Sequence, residues 1–357
     1  MGLLRFLLAI SVYAEHTEPL FGLTFVGGTM AVQSFYMISG FYMALILCEK
    51  YTGKNRYRLF IFNRFLRLYP TFAVISLLVI LSAYLNHTSP FHAWSLYHAT
   101  MSLGTMLFVA LSQALLVGQD LLMFCRMDPV TGTLAFAATL TKDVQCNEFL
   151  VNRTAWTIGV EMWFYLLAPF LVRYRTRTLW LIIAGSLLLR FIIYIPLDLW
   201  IDPWTYRFFP NELSFFLFGV LGYRLYLILK ERKWSIWYGR IAWAAVILLT
   251  IFLGSHPKNA EPFMLIYYPI IALSLPFIFY ATKRWQTDRF IGDLSYPIYL
   301  SHLFFFEFDH LVWKSFNHVE LLVITLAFSW AAVVLIEKPI DQWRQRLVAR
   351  STEITAP

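Results

Sequence analysis

Charge is scarce in this chain. Only 14% of its 357 residues are Asp, Glu, Lys or Arg, while 59% are hydrophobic and 18% aromatic, with a mean hydropathy of +0.61. An average soluble domain carries about 25% charged residues, so the composition excludes a water-soluble globular protein and points to an integral membrane one. The strict alternation of a membrane β-barrel is missing too. Long apolar runs separated by short polar connections take its place, as an α-helical bundle requires when every spanning backbone group must find its partner internally. Heptad repeats, low-complexity tracts and long soluble stretches are absent, which leaves one membrane domain, residues 1–345, and a short tail, 346–357. No small-residue cleavage site follows "MGLLRFLLAI"; Glu15, His16 and Glu18 occupy that place, so the run reads as a retained first helix. There is no H-E-x-x-H, no phosphate-binding glycine loop and no G-x-S-x-G elbow, which argues against a metal site and a Rossmann-type cofactor.

Lysine and arginine set the topology. Apolar runs near 3–15, 26–47, 67–85, 99–118, 154–172, 178–196, 211–229, 237–254, 263–281, 290–309 and 319–337 are candidate spans. Of the 29 Lys and Arg, all but Arg126, Lys142, Arg153, Arg190, Arg207, Lys258 and Lys314 fall in or beside the connections 48–66, 173–177, 230–236, 282–289 and 338–350. Those connections should be cytoplasmic. The net charge of +8 is then a topology signal before it is a sign of nucleic acid, and no nucleic-acid partner is expected. Parity leaves no room for a crossing at 99–118, so that stretch is predicted to be re-entrant or interfacial. The expected fold is an all-α bundle of about ten transmembrane helices with both termini cytoplasmic. Cys125 and Cys146 both fall in the outer stretch 119–153, where an oxidising compartment permits a disulfide. Cys48 reads as an inert apolar residue.

Ionisable residues inside apolar runs are costly and therefore informative. The first span holds Arg5 at one end and Glu15-His16 at the other; eleven steps at 1.5 Å make about 16 Å between Arg5 and His16. "FYMISGF" places Ser39-Gly40 within the second span, where glycine admits close approach of a helix or a ligand. "NRFLRLYP" sets Arg64 and Arg67 on one helical face just before Tyr69-Pro70, an arrangement suited to phosphate through guanidinium fork geometry or to simple anchoring at the membrane border. "WTIGVEMWFYLLAPF" buries Glu161, which should pair with a cation, Arg190 being a candidate, or carry a raised pKa. "LSYPIYLSHLFFF" carries Tyr296, Tyr299 and His302.

Together these stretches resemble the membrane-bound acyltransferase 3 family. Arg5 and His16 match its Arg-x10-His pattern, and Phe35, Ser39, Gly40 and Phe41 its phenylalanine-Ser-Gly-Phe element. Arg64 and Arg67 match Arg-x-x-Arg, and Trp156, Thr157 and Glu161 match Trp-(Ser/Thr)-x-x-x-Glu. Ser295 to His302 match the late Ser-Tyr-Pro-x-Tyr-Leu-x-His element, and 336–339 the closing Glu-Lys-Pro. The likeness runs from residue 5 to about 340; Glu15 is not demanded by it, and the extra esterase-like domain of some members is lacking.

The resemblance implies an acyl-CoA-dependent O-acyltransferase, with acetyl the usual group, acting on an extracytoplasmic carbohydrate or glycolipid from a bacterial inner membrane. Acetyl-CoA would be a co-substrate, with no tightly bound cofactor. It implies phosphates near Arg64 and Arg67 with Tyr69 beside them, Arg5 at the entrance, and the pantetheine arm passing Ser39-Gly40. His16 would be general base on an acceptor hydroxyl, a covalent acyl-histidine being the lesser route. Glu161 or Glu15 would orient the ring, and Tyr296, His302 or an amide beside Gly40 would serve the oxyanion. Trp94, Trp200, Trp204, Tyr206 and Phe208 suit sugar stacking or an interfacial belt. The competing class is a transporter or flippase in which Arg5, Glu161 and Arg190 form a gate.

Overall fold

A computed structural model describes residues 1–51, 56–88, 91–136, 144–232, 234–255 and 260–353. Lys54, Lys142, Lys233, Lys258 and the last four residues of the tail lie outside the described residues. The chain is 78% helical, so helix packing decides where every polar side chain ends up.

Six described helices are long and apolar enough to cross a membrane. They are α2 (Gly27–Glu49), α3 (Arg56–Asn86), α7 (Thr176–Tyr194), α8 (Phe209–Glu231), α10 (Ala260–Thr282, its apolar stretch beginning at Phe263) and α13 (His318–Ala332), which continues through widened turns into α14 (Lys338–Glu353). Shorter helices complete the set: α1 (Gly2–His16), α4 (Phe91–Tyr97), α5 (Leu103–Leu115), α6 (Trp156–Leu171), α9 (Ile236–Phe252), α11 (Gln286–Asp293) and α12 (Ser295–Phe308).

The run at 99–118 yields only α5, whose 13 residues are about 20 Å long at 1.5 Å per residue, short of the roughly 30 Å hydrocarbon layer. Leu103, Leu107, Leu111 and Leu115 form one exposed stripe at four-residue spacing, while Thr105, Val109 and Ser112 face inward. The run expected at 290–309 is not a single helix: it divides at Leu294 into α11 and α12. On α11, Asp288 accepts hydrogen bonds from the backbone N–H groups of Gly2 (2.7 Å) and Leu3 (2.9 Å) and so caps the start of α1.

The core forms around α2 and α8. Gly40 of α2 and Gly219 of α8 face each other's backbones: a Cβ on Gly40 would overlap the Phe216 carbonyl, and one on Gly219 the Met37 carbonyl. Side chains fill the space on either side, with Tyr36 stacked on Phe216 at 4.7 Å and Phe216 on Phe164 at 4.3 Å. Of the two uses open to Gly40, helix packing is the one realised.

Between α5 and α6 the chain folds a small antiparallel sheet in the order β2-β1-β3, from β1 (Cys125–Met127), β2 (Leu134–Phe136) and β3 (Val144–Gln145). Pairing of Arg126 with Gln145 brings Cys125 and Cys146 into the same neighbourhood, yet both are free thiols and the permitted disulfide is not formed. Cys146 is buried in an apolar cluster with Leu122, Met127 and Phe149.

Candidate functional site

The basic connections gather at one end of the bundle, and a cavity of about 740 Å³ opens there between α1, α2, α3, α6, α12 and α14. Arg5, Arg64 and Arg67 line it. α3 begins at Arg56, so the two later arginines stand on a helix rather than in the connection before it, three residues apart on one face. None of the three guanidinium groups has a hydrogen bond or ion pair among the described residues, although Arg64 is buried and its Nε is left without a partner. Its one close neighbour of note is the Phe60 ring, 5.8 Å away. Buried cations are normally paired or solvated by fixed dipoles. Arg64 is the buried one of the three, Arg5 and Arg67 being half-buried, and the cavity they share, also lined by Asp293 and Asp341, has a volume in the range of small-molecule pockets.

Deeper in the same cavity stand Ser39, Thr157, Glu161, Tyr165 and Tyr299. Tyr165 donates to the Glu161 carboxylate at 2.7 Å, and the Ser39 hydroxyl lies 3.3 Å from the Tyr165 oxygen. The three make one polar chain from α2 to α6. Glu161 therefore takes Tyr165 as its partner and not Arg190, the cation expected for it. Arg190 is held by Glu212 instead, at 2.6 Å, because α7 packs along α8. Gln33 of α2 adds a 3.0 Å hydrogen bond to the same carboxylate.

The other site residues fall outside the cavity lining or turn away from it. Tyr296 lines it, but its hydroxyl donates to the Leu68 carbonyl at 2.7 Å. Tyr69 stacks on Phe65 at 4.6 Å. Glu15 is exposed beside Gly27 and Gly28, at the turn that opens α2.

His16 sits at the far end of α1 from Arg5, on one unbroken helix. It does not line the cavity, whereas Tyr299 does. The Tyr299 ring is 6.0 Å from that of His302, whose Nε2 lies 3.3 Å from His16 Nδ1. His302 is completely buried while His16 is exposed. No carboxylate hydrogen-bonds the His16 ring among the described residues, so neither Glu161 nor Glu15 orients it in this arrangement.

The residues compare with a known family. The chain matches a profile described as an acyltransferase domain over residues 1–336, nearly its whole length. The chain belongs to the acyltransferase 3 family. It is also similar to an uncharacterized protein of Aquifex aeolicus (strain VF5), 25% identical over 206 residues that make up 54% of this chain and 89% of that protein. No solved structure matches it. An acyltransferase 3 protein with six long apolar helices is a membrane acyltransferase.

Several cavity residues escaped the sequence reading. Tyr165 stands four residues after Glu161, a spacing that puts both on one helical face, so the pair was open to inference. Arg344 was counted only among the basic residues of the connection 338–350. It lies on α14, beyond the matched region, lines the cavity, and binds the Asn63 carbonyl at 3.1 Å and Asp341 at 2.5 Å. Nothing local in "DQWRQR" marks it out; only the return of α14 against α3 does.

Outside the long helices, the cap on α1 is electrostatic as well. Burial opposes ionisation of Asp288, but the Met1 ammonium at 2.8 Å and the Gly2 and Leu3 N–H groups outweigh it and hold the carboxyl below the usual aspartate range.

Proposed function

We propose that the protein is an O-acyltransferase, with acetyl the group moved, that takes the acyl group from cytoplasmic acyl-CoA and passes it to a hydroxyl of an extracytoplasmic carbohydrate or glycolipid. The observation that carries this reading is the set of unpaired guanidinium groups of Arg5, Arg64 and Arg67 around one cavity at the basic end of the bundle, with an exposed imidazole at the other end of α1. Phosphate oxygens are the natural partners of such groups. The about 16 Å of helix between Arg5 and His16 suits a long thin arm whose charged end stays at the basic side.

In this reading the membrane is the bacterial inner membrane and the chain crosses it ten times, with α1, α6, α9 and α12 as the shorter crossings and α5 re-entrant or interfacial. Both termini are then cytoplasmic, residues 1–345 form the transferase domain, and 346–357 the tail. The crowding of Lys and Arg at one end, and the parity it imposes, support it.

Acyl-CoA docks with its phosphates on the arginines and threads its arm past Ser39, Tyr165 and Thr157 towards Tyr299. His16 removes the proton of the acceptor hydroxyl as the oxygen attacks the thioester carbonyl. The acyl–sulfur bond breaks, the ester forms, and the proton held by His16 passes to the departing CoA thiolate. The polar chain of Ser39, Tyr165 and Glu161 lines the donor arm and does not touch the base.

Inside-out vesicles containing the purified protein, supplied with acetyl-labelled acetyl-CoA outside and native glycolipid, should accumulate label covalently on acceptor in the lumen. Luminal delivery of an unlabelled lipid-linked sugar with no label transfer would overturn the proposal in favour of a flippase.

A further inference from the structure

We propose that His302 is the positioning residue for His16: together with the Val12 carbonyl it holds the ring in the tautomer that makes Nε2 of His16 the basic atom, and among the described residues it alone presents a side-chain acceptor to the imidazolium that forms. The inference rests on the reading of His16 as general base. Its starting point is which groups can only accept. His302 Nδ1 lies 2.7 Å from the Tyr299 carbonyl and 3.3 Å from that of Ile298, and carbonyls cannot donate. Nδ1 of His302 therefore carries the proton, and in the neutral ring its Nε2 presents a lone pair.

That lone pair faces His16 Nδ1 at 3.3 Å, and the same His16 nitrogen lies 2.9 Å from the Val12 carbonyl. Facing two acceptors, His16 Nδ1 must be the protonated nitrogen. Nε2 of His16 is left with its lone pair, on an exposed ring at the end of α1. The two rings lie 5.1 Å apart, and Tyr13 packs against His302 with its ring centroid at 6.4 Å while its hydroxyl donates to the His318 carbonyl at 2.5 Å. His302 is thus locked between Tyr13 and Tyr299, with no freedom to turn its proton outward.

A neutral imidazole occupies the place that a carboxylate takes in a Ser-His-Asp triad. As His16 becomes an imidazolium, its Nδ1–H bond to His302 Nε2 becomes charge-assisted and strengthens. The same geometry removes His302 from the candidate oxyanion donors, since the nitrogen it turns towards the base has no proton to give.

The test uses the full-length protein in vesicles, with His302→Gln and His302→Asn compared with wild type. Glutamine places an amide oxygen near the position of the lost Nε2 and can still accept from His16. Asparagine reaches the Tyr299 carbonyl but offers nothing to His16. The expected result is a kcat about 100-fold lower for His302→Asn, the low end of general-base effects, with the KM for acetyl-CoA unchanged and His302→Gln within about 5-fold of wild type. On a His16→Ala background, His302→Asn should cost nothing further, because the two residues act as one unit. Equal activity of the Asn and Gln variants, or losses that multiply in the double variant, would overturn the inference. A wild-type protein that transfers no acyl group at all would instead overturn the proposed function.

Discussion

Arg190 and Glu212 meet at 2.6 Å between α7 and α8, and Gln33 of α2 closes on the same carboxylate. The guanidinium also lies over the Phe215 ring at 5.0 Å and the Tyr194 ring at 5.6 Å. A charge pair this deep fixes which helices are neighbours, and it stands apart from the cavity at the basic end.

Breaking that pair on one side should therefore harm folding rather than chemistry. Glu212→Ala leaves an uncompensated buried cation and is expected to cost about 3–5 kcal/mol, read as a fall in thermal unfolding temperature in detergent. The double variant Arg190→Met with Glu212→Leu should recover most of that loss. If Glu212→Ala unfolds at the wild-type temperature, the pair does not hold the helices.

Arg64 should behave in the opposite way. It is buried with no hydrogen bond or ion pair among the described residues, so its desolvation cost is not offset by them. Arg64→Met should leave the unfolding temperature equal or higher, while the KM for acetyl-CoA rises by about tenfold or more, as expected for loss of a charge-assisted contact. A variant that is destabilised yet binds acyl-CoA normally would make Arg64 a structural residue.

Glu161 and Tyr165 share one hydrogen bond and should fail as one. Tyr165→Phe and Glu161→Gln are each expected to slow transfer, and the double variant should be little worse than the poorer single one. Multiplying losses, measured in the same vesicle assay, would show that the two act separately.

Arg5, Arg64, Arg67 and Glu161 stood out in the sequence because ionisable residues in or beside apolar runs cost too much to be there idly, but Glu161 was expected beside Arg190 or the His16 ring and instead lines the same cavity as the arginines. Their partners were less legible. Arg190 has two carboxylates within plausible reach along the chain, and only the packing of α7 on α8 decides for Glu212, which reads locally as an ordinary acid in the first turn of a helix. The break between α11 and α12 was hidden because hydropathy continues through it, and the role of Asp288 because its partners at the start of α1 are remote in sequence. Strands of two and three residues in the loop before α6 are too short to show any period.

The cap that Asp288 places on α1 makes a prediction about acid stability. α1 carries both Arg5 and His16, so its anchoring sets the register of the whole site. Asp288→Asn should cost about 1–2 kcal/mol at neutral pH, as lost helix caps do. Because the folded carboxyl titrates below its ordinary value, the folded state binds fewer protons than the unfolded one near that pH, and stability rises with pH there. The stabilisation is complete above the unfolded aspartate value of about 3.9 and drains away as pH falls through the lower folded value. The gap in unfolding temperature between wild type and Asp288→Asn should be open at about pH 5 and close below about pH 4. A gap that persists unchanged into that acid range would mean that the carboxylate charge is not what fastens α1.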